Sequence, residues 1–279
     1  KDIWKKDKMS LVTTKWLEDN INKVKIVDCS WHMPQTNRNG FEEYKKKHIQ
    51  NSIFFDLDKN SKQNTDIPHM LTDLNSWEKI VSNMGIRNED QIVIYDNSDV
   101  ISSCRCWYNF IYFGHNPSLV HVLDGGFKKW IKENKATNNT FTKIIKSNYK
   151  ANEKKELVKN KLAIDQNISK KEFDVIDARS RERFDGKVLE PRKDLKSGSI
   201  KNSFCLPFSE LINNDKTFLS KDKILEKFQS TKCDLKKKLV FTCGSGVTAS
   251  VLALAYSLID NKYRPTIYDG SWSEYGKFK

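Results

Sequence analysis

The sequence predicts an α/β protein built from two copies of one unit, each a mainly parallel sheet flanked by helices. Three observations carry that expectation. Short apolar, β-branched runs alternate with helical patterns along the chain, as in sheets covered on both faces. The chain also repeats itself in order. Val27-Asp28-Cys29-Ser30 is echoed by Ile176-Asp177-Ala178-Arg179, and His48-Ile49-Gln50-Asn51-Ser52 by Ser199-Ile200-Lys201-Asn202-Ser203. Gln91 to Asp96 parallels Lys238 to Cys243, and Leu123-Asp124-Gly125-Gly126 parallels Tyr268-Asp269-Gly270-Ser271. Finally, every offset lies between about 145 and 151 residues, which implies a unit of roughly 120 to 130 residues, an ordinary domain size.

In chain order, Lys1 to Lys8 precede Met9 and read as an appended extension. The first unit is placed at 9–133, with helical patterns at Trp16 to Val24, Trp77 to Met84 and Trp107 to Phe113. Residues 134–160 are polar, rich in Asn, Thr and Lys, and carry little periodicity, so they read as a linker. The second unit, 161–279, has helical patterns at Ile224 to Phe228 and Val247 to Ile259.

Composition narrows the function classes. The chain has 279 residues, of which 38% are hydrophobic and 30% charged, and no apolar run reaches the ~18 residues of a membrane span. The net charge of +13 invites a nucleic-acid reading. Its lysines are scattered, however, and no basic patch is interleaved with aromatics, so the charge implies solvated lysines and an attraction for anionic substrates or acidic proteins. The six cysteines form no Cys-x-x-Cys pair, which argues against a metal site and for free thiols in a reducing compartment. A cytoplasmic or mitochondrial location is expected. Asp2 and Asp7 weaken a transit-peptide reading of the basic start.

Cys243 is the informative cysteine. It follows the apolar run Lys238 to Thr242 and opens Cys243-Gly244-Ser245-Gly246-Val247-Thr248, which leads into a helix. Glycines let the backbone N–H groups of such a turn face inward as an anion-binding nest, and the helix N-terminus adds partial positive charge. Both favour a nucleophilic thiolate. The first copy has Asp96 at the cysteine position, followed by Asn97-Ser98-Asp99-Val100 without glycines. That copy is expected to have no thiolate and no nest, and to act as scaffold.

These motifs resemble the tandem-domain rhodanese family of sulfurtransferases over about Leu11 to Tyr275. The likeness rests on Phe54-Phe55-Asp56-Leu57-Asp58, Phe113-Gly114-His115, Val122 to Gly126, Asp177-Ala178-Arg179, Glu190-Pro191-Arg192, Cys243 to Ala249, and Tyr268 to Trp272. Within that family the loop is similar to that of the 3-mercaptopyruvate enzymes, whereas thiosulfate enzymes usually carry basic residues after the cysteine. The resemblance implies two rhodanese-like domains with the active site in the cleft between them. It implies carboxylate-binding roles for Arg183 and Arg192, and a proton relay of Ser245 with Asp58, with His69 close by. Gly244, Gly246, Val247 and Thr248 would supply the loop backbone. Arg105, Arg179 and Arg181 are expected in structural ion pairs. Cys104 stands where a proline is common, and Asn51-Ser52 and Asn202-Ser203 replace usual Pro-Gly or Gly-Ala turns. The chain ends soon after Tyr275, so a tail lining the cleft is expected to be missing.

The expected chemistry is double displacement without metal or organic cofactor. Cys243 takes sulfur from 3-mercaptopyruvate as a persulfide, releasing pyruvate, and passes it to thioredoxin, a small thiol or cyanide. Thiosulfate:cyanide transfer is the alternative, and a non-catalytic sulfur-carrier module is the reading from outside enzymology. A cysteine phosphatase needs an arginine six positions after the cysteine, where this chain has Ala249. A monomer or weak dimer is expected.

Overall fold

The β-branched runs pair into two all-parallel, five-stranded sheets in the computed structural model, which describes residues 9–279. The Lys1 to Lys8 extension lies outside the described residues. The first sheet holds β1 (Leu11–Val12), β2 (Lys25–Asp28), β4 (Ser52–Phe54), β5 (Ile92–Tyr95) and β6 (Val120–Leu123), in the order β1-β6-β5-β2-β4. The second holds β8 (Val158–Lys159), β9 (Phe173–Asp177), β10 (Phe204–Cys205), β11 (Lys238–Thr242) and β12 (Ile267–Tyr268), in the order β8-β12-β11-β9-β10. Strand for strand the orders match, so the repeat in sequence is a repeat in topology. A small antiparallel pair joins β3 (His48–Ile49) to β7 (Thr137–Asn138).

Helices cover both faces. The first half contributes α1 (Thr14–Asp19), α2 (Gly40–Lys46), α3 (Leu74–Asn83), α4 (Ser103–Tyr112) and α5 (Gly126–Lys132). The second contributes α6 (Lys161–Lys170), α7 (Arg181–Phe184), α8 (Lys221–Ser230), α9 (Val247–Ile259) and α10 (Ser271–Tyr275). The first helix is shorter than its pattern to Val24. The Thr13 hydroxyl caps it by accepting from Trp16 N at 3.0 Å, and Asn20 closes it, its Nδ2 donating back to Trp16 O at 2.8 Å. Along the central strands alternate residues enter opposite cores. Ile92 and Ile94 join Trp77 and Phe110 on one face, while Val93 and Tyr95 join Leu17 and Trp130 on the other.

The two halves share a core. All ten residues of α4 are buried, and α9 is buried from Val247 to Tyr256 except Thr248. α9 is apolar nearly all round and has to be covered all round, whereas α4 buries Arg105 and Asn109 along with its apolar side chains. These two meet across the junction, and one continuous apolar cluster runs from Val27 and Phe110 to Phe241 and Leu254.

The segment 134–160 is not a free linker along its length. Ser147, Asn152 and Lys154 donate backbone hydrogen bonds to Ser82, Phe113 and Tyr112, and Tyr149 is buried. The segment ends in β8, the counterpart of β1. Two-residue strands carry no periodicity, so neither β7 nor β8 could show in the pattern.

The repeat also exposes an imbalance. Asp177 is ion-paired with Arg179 at 2.7 Å, both buried. Its counterpart Asp28 has Ser30 where the arginine would be, and burial pushes its carboxyl up to about 7 despite bonds from Ser30 N and Oγ. A folded value above the unfolded one stabilises fully below the unfolded value, and this contribution is lost as pH rises through about 7. Asp28→Asn is therefore expected to gain stability over the parent at pH 8 and to match it near pH 4, on the order of 1–3 kcal/mol. Urea midpoints of the two proteins across that range test this. His115 and His121, whose values burial lowers, act in both proteins alike.

Candidate active site

Cys243 sits immediately after β11, and Gly246 caps α9 with φ 84°. The turn is anchored from behind. Cys243 O and Gly244 O accept from Trp272 N and Ser273 N of α10, both at 2.9 Å, and Cys243 N donates to Ser271 Oγ at 3.2 Å. With those groups engaged outward, the Gly246 N–H donates to Cys243 Sγ at 3.0 Å. Gly246 is needed twice over, for its φ and because a Cβ there would lie 2.4 Å from Arg105 Nη1. Burial pushes the Cys29, Cys104 and Cys233 thiols up, and Cys205 up to about 12. None of these four has a glycine turn.

The first-copy loop corrects one expectation. Despite lacking glycines it does form a nest, and Asp96 fills it: Ser98 N donates to Oδ1 and Ser103 N to Oδ2, both at 2.9 Å. The side chain in the cysteine position has become the anion that the loop holds.

Cys243 opens into a cleft of about 900 Å³ lined from both halves. Asp58, His69, Trp31 and Asp66 form one wall; Arg183, Glu190, Arg192, Ser245 and Thr248 form the other. His69, expected only nearby, stands between Ser245 and Asp58, the two residues expected to form a relay. Its Nδ1 is 2.8 Å from Ser245 Oγ and its Nε2 is 2.9 Å from Asp58 Oδ1. Asp58 thus reaches Ser245 through the imidazole. The His69 bond, with desolvation opposing, holds the Asp58 carboxyl below its usual range.

Both cleft arginines already hold carboxylates. Arg183 Nε and Nη2 donate to Glu190 at 2.9 and 2.8 Å, and Nη2 lies 3.4 Å from where a Gly244 Cβ would be. Arg192 grips Asp194 through Nε and Nη2, and Nη2 also reaches Asp66 O on the opposite wall at 3.4 Å. A guanidinium has more donors than one carboxylate uses, so each can still meet an anionic ligand. The two differ in what that costs. Glu190 is fully buried and shared with Arg179, whereas Asp194 is exposed and easily exchanged. Arg183→Ala is thus expected to lose stability as well as activity. Arg192→Ala should lose about 10- to 300-fold in kcat/KM with little change in urea midpoint, and Arg192→Lys should recover part.

Two residues of the site, Arg105 and Trp31, have little signal in the sequence, and the role of Glu190 is not written in its motif. Arg105, expected in an ion pair, does pair with Asp269 at 2.7 Å, but it also donates to His69 O at 2.8 Å and Gly246 O at 3.3 Å. It therefore ties His69 to the turn that carries Cys243. Arg179 and Arg181 pair with Asp177 and Glu210 as expected. Glu190 holds Arg183, and Trp31 contacts Asp58 and His69. Among the described residues no His, Cys, Asp and Glu cluster is arranged to hold a metal ion, and no helix is long and apolar enough to cross a membrane.

The comparisons with known proteins give the family and the fold. The model of the Rhodanese-like domain matches residues 13–133 and 161–277. The chain belongs to the rhodanese family. This rhodanese is 34% identical to "Thiosulfate/3-mercaptopyruvate sulfurtransferase 1, mitochondrial" of Arabidopsis thaliana, over 95% of this chain and 75% of that one. It is 32% identical to human 3-mercaptopyruvate sulfurtransferase, over 95% of this chain and 91% of the relative. The crystal structure of SseA from Escherichia coli, titled as a 3-mercaptopyruvate sulfotransferase, superposes with a TM-score of 0.85 at 26% identity, covering 95% of this chain and all of that one. With such relatives over nearly its full length, this rhodanese is a sulfurtransferase.

Proposed function

We propose that this rhodanese takes sulfur from 3-mercaptopyruvate and delivers it, through a Cys243 persulfide, to a thiol acceptor. Likeness alone does not choose the donor, because a rat thiosulfate sulfurtransferase is also 34% identical. The observation that carries the reading is the Ser245–His69–Asp58 relay beside Cys243. Sulfite leaves thiosulfate as a stable anion and needs no proton. The carbanion left by mercaptopyruvate does, and a relay supplies it.

In the proposed reaction Cys243 thiolate attacks the donor sulfur, with Arg192 and Arg183 holding the carboxylate. The new S–S bond forms as the S–C bond breaks, and its electron pair leaves as pyruvate enolate. Ser245 protonates the enolate carbon and is reprotonated through His69, whose positive charge Asp58 offsets. The Gly246 N–H supports negative charge on sulfur at both ends of the cycle. A thiolate acceptor, thioredoxin or a small thiol, then attacks the outer sulfur and restores Cys243; cyanide can do the same. The cytoplasm or the mitochondrial matrix would keep these thiols reduced.

Ser245→Ala tests the assignment. It should lower kcat on mercaptopyruvate about 100-fold while thiosulfate turnover falls far less. Equal losses on both donors would refute the donor assignment.

A further inference from the structure

Asp58 presents a physical problem. Its side chain is 67% exposed, and a carboxylate open to water is not oriented by one bond to an imidazole. A second contact orients it. Trp31 Nε1 lies 3.1 Å from Oδ1 and 3.2 Å from Oδ2, and the indole meets the His69 ring edge-on with centroids 4.7 Å apart. The indole therefore holds both the acid and the flank of the imidazole. Trp31 is itself held by the first copy's loop. Its N–H donates to Ser102 Oγ at 3.0 Å, and its carbonyl accepts from Ser98 Oγ. Ser102 Oγ in turn donates to Cys29 O at 2.6 Å.

We infer that Trp31, pinned by the serines of the first-copy loop, is a fourth, positioning member of the relay, keeping the Asp58 carboxylate square to His69. The loop whose nucleophile position became Asp96 thus serves the active site of the other half. The inference deepens the proposed mercaptopyruvate reaction and, for its kinetic part, rests on it. His69 is the titratable group against Asp58. The other charged or titratable side chains of the cleft are His32 and Asp66 on the same wall, and Arg179, Arg183, Glu190, Arg192 and Cys243 opposite. Trp31→Phe changes none of them.

Two measurements on the full chain test this. In Trp31→Phe the Asp58 carboxyl carbon, followed by NMR, should titrate at higher pH than in the parent, because an N–H donor to the anion is lost. In the same variant kcat on mercaptopyruvate should fall about tenfold relative to kcat on thiosulfate, with KM little changed. That loss should vanish in the Asp58→Asn background. Ser102→Ala, which keeps the indole, should give the same donor-selective effect at smaller size. An unmoved Asp58 titration overturns the inference, as does an equal loss on both donors or full additivity with Asp58→Asn. A parent protein inactive on mercaptopyruvate would refute the proposed function instead, while the titration would still decide whether Trp31 holds Asp58.

Discussion

Replacing Cys243 by serine should abolish sulfur transfer, by a factor of about 10⁴ or more, in a protein that still folds. The substitution alters one atom. Ser271 Oγ, Trp272 N and Ser273 N grip the backbone of the turn rather than the sulfur, so the turn keeps its anchors. An alkoxide at this position is far harder to form than a thiolate, and an oxygen cannot form the S–S bond on which the cycle depends. The decisive measurement is intact mass after incubation with 3-mercaptopyruvate. The parent should gain one sulfur atom on the Cys243 peptide, and Cys243→Ser none. Cys29→Ser and Cys104→Ser should keep their turnover, since burial holds both thiols protonated. Near-normal turnover by Cys243→Ser would remove the persulfide from the mechanism.

Arg105→Met should have the largest effect on stability, a loss of about 3–5 kcal/mol. Arg105 is fully buried, and removing its charge strands the Asp269 carboxylate and leaves the carbonyls of His69 and Gly246 without its donors. Asp269 Oδ2 still accepts from Leu71 N at 2.8 Å, which compensates only in part. His69 has a left-handed φ of 62°, a conformation that persists where its surroundings enforce it. Without Arg105 the imidazole should lose register with Ser245, and mercaptopyruvate turnover should drop about 100-fold. Adding Asp269→Asn should restore part of the stability, because no buried charge then stands alone, but not the turnover. An unfolding free energy, from urea titration, within about 0.5 kcal/mol of the parent would show that Arg105 does not hold the site together.

The parts legible in the sequence are those written locally. The paired motifs announced two copies of one sheet, and the strand–glycine turn–helix around Cys243 announced a turn whose Gly246 N–H faces the sulfur. Asn51 and Asn202, where the family uses other turn residues, have φ of 70° and 64°, a region that asparagine tolerates. What stayed hidden depends on chain separation. Arg105 meets Gly246 across 141 residues and Asp269 across 164, so its ion pair was expected but not its partners or its bond to the Cys243 turn. Trp31 carries no local signal, because its partner Asp58 is 27 residues away on another loop. The Asp96 nest failed as an expectation for a different reason. Glycine eases an inward-facing turn, but a carboxylate at its centre can organise the same N–H groups without one.

The seam between α4 and α9 governs how the enzyme can select a substrate. Proteins that clamp their ligands by swinging two lobes need a thin, polar junction that can shear. Here the junction is interior, and Arg105 bolts it beside the Cys243 turn. Swinging the lobes would expose both helices to water. The jaw is therefore fixed, and discrimination has to be built into its resting shape. A donor would then be sorted by how well it fits charges and hydrogen bonds already in place, without a swing of the lobes to reward the right molecule.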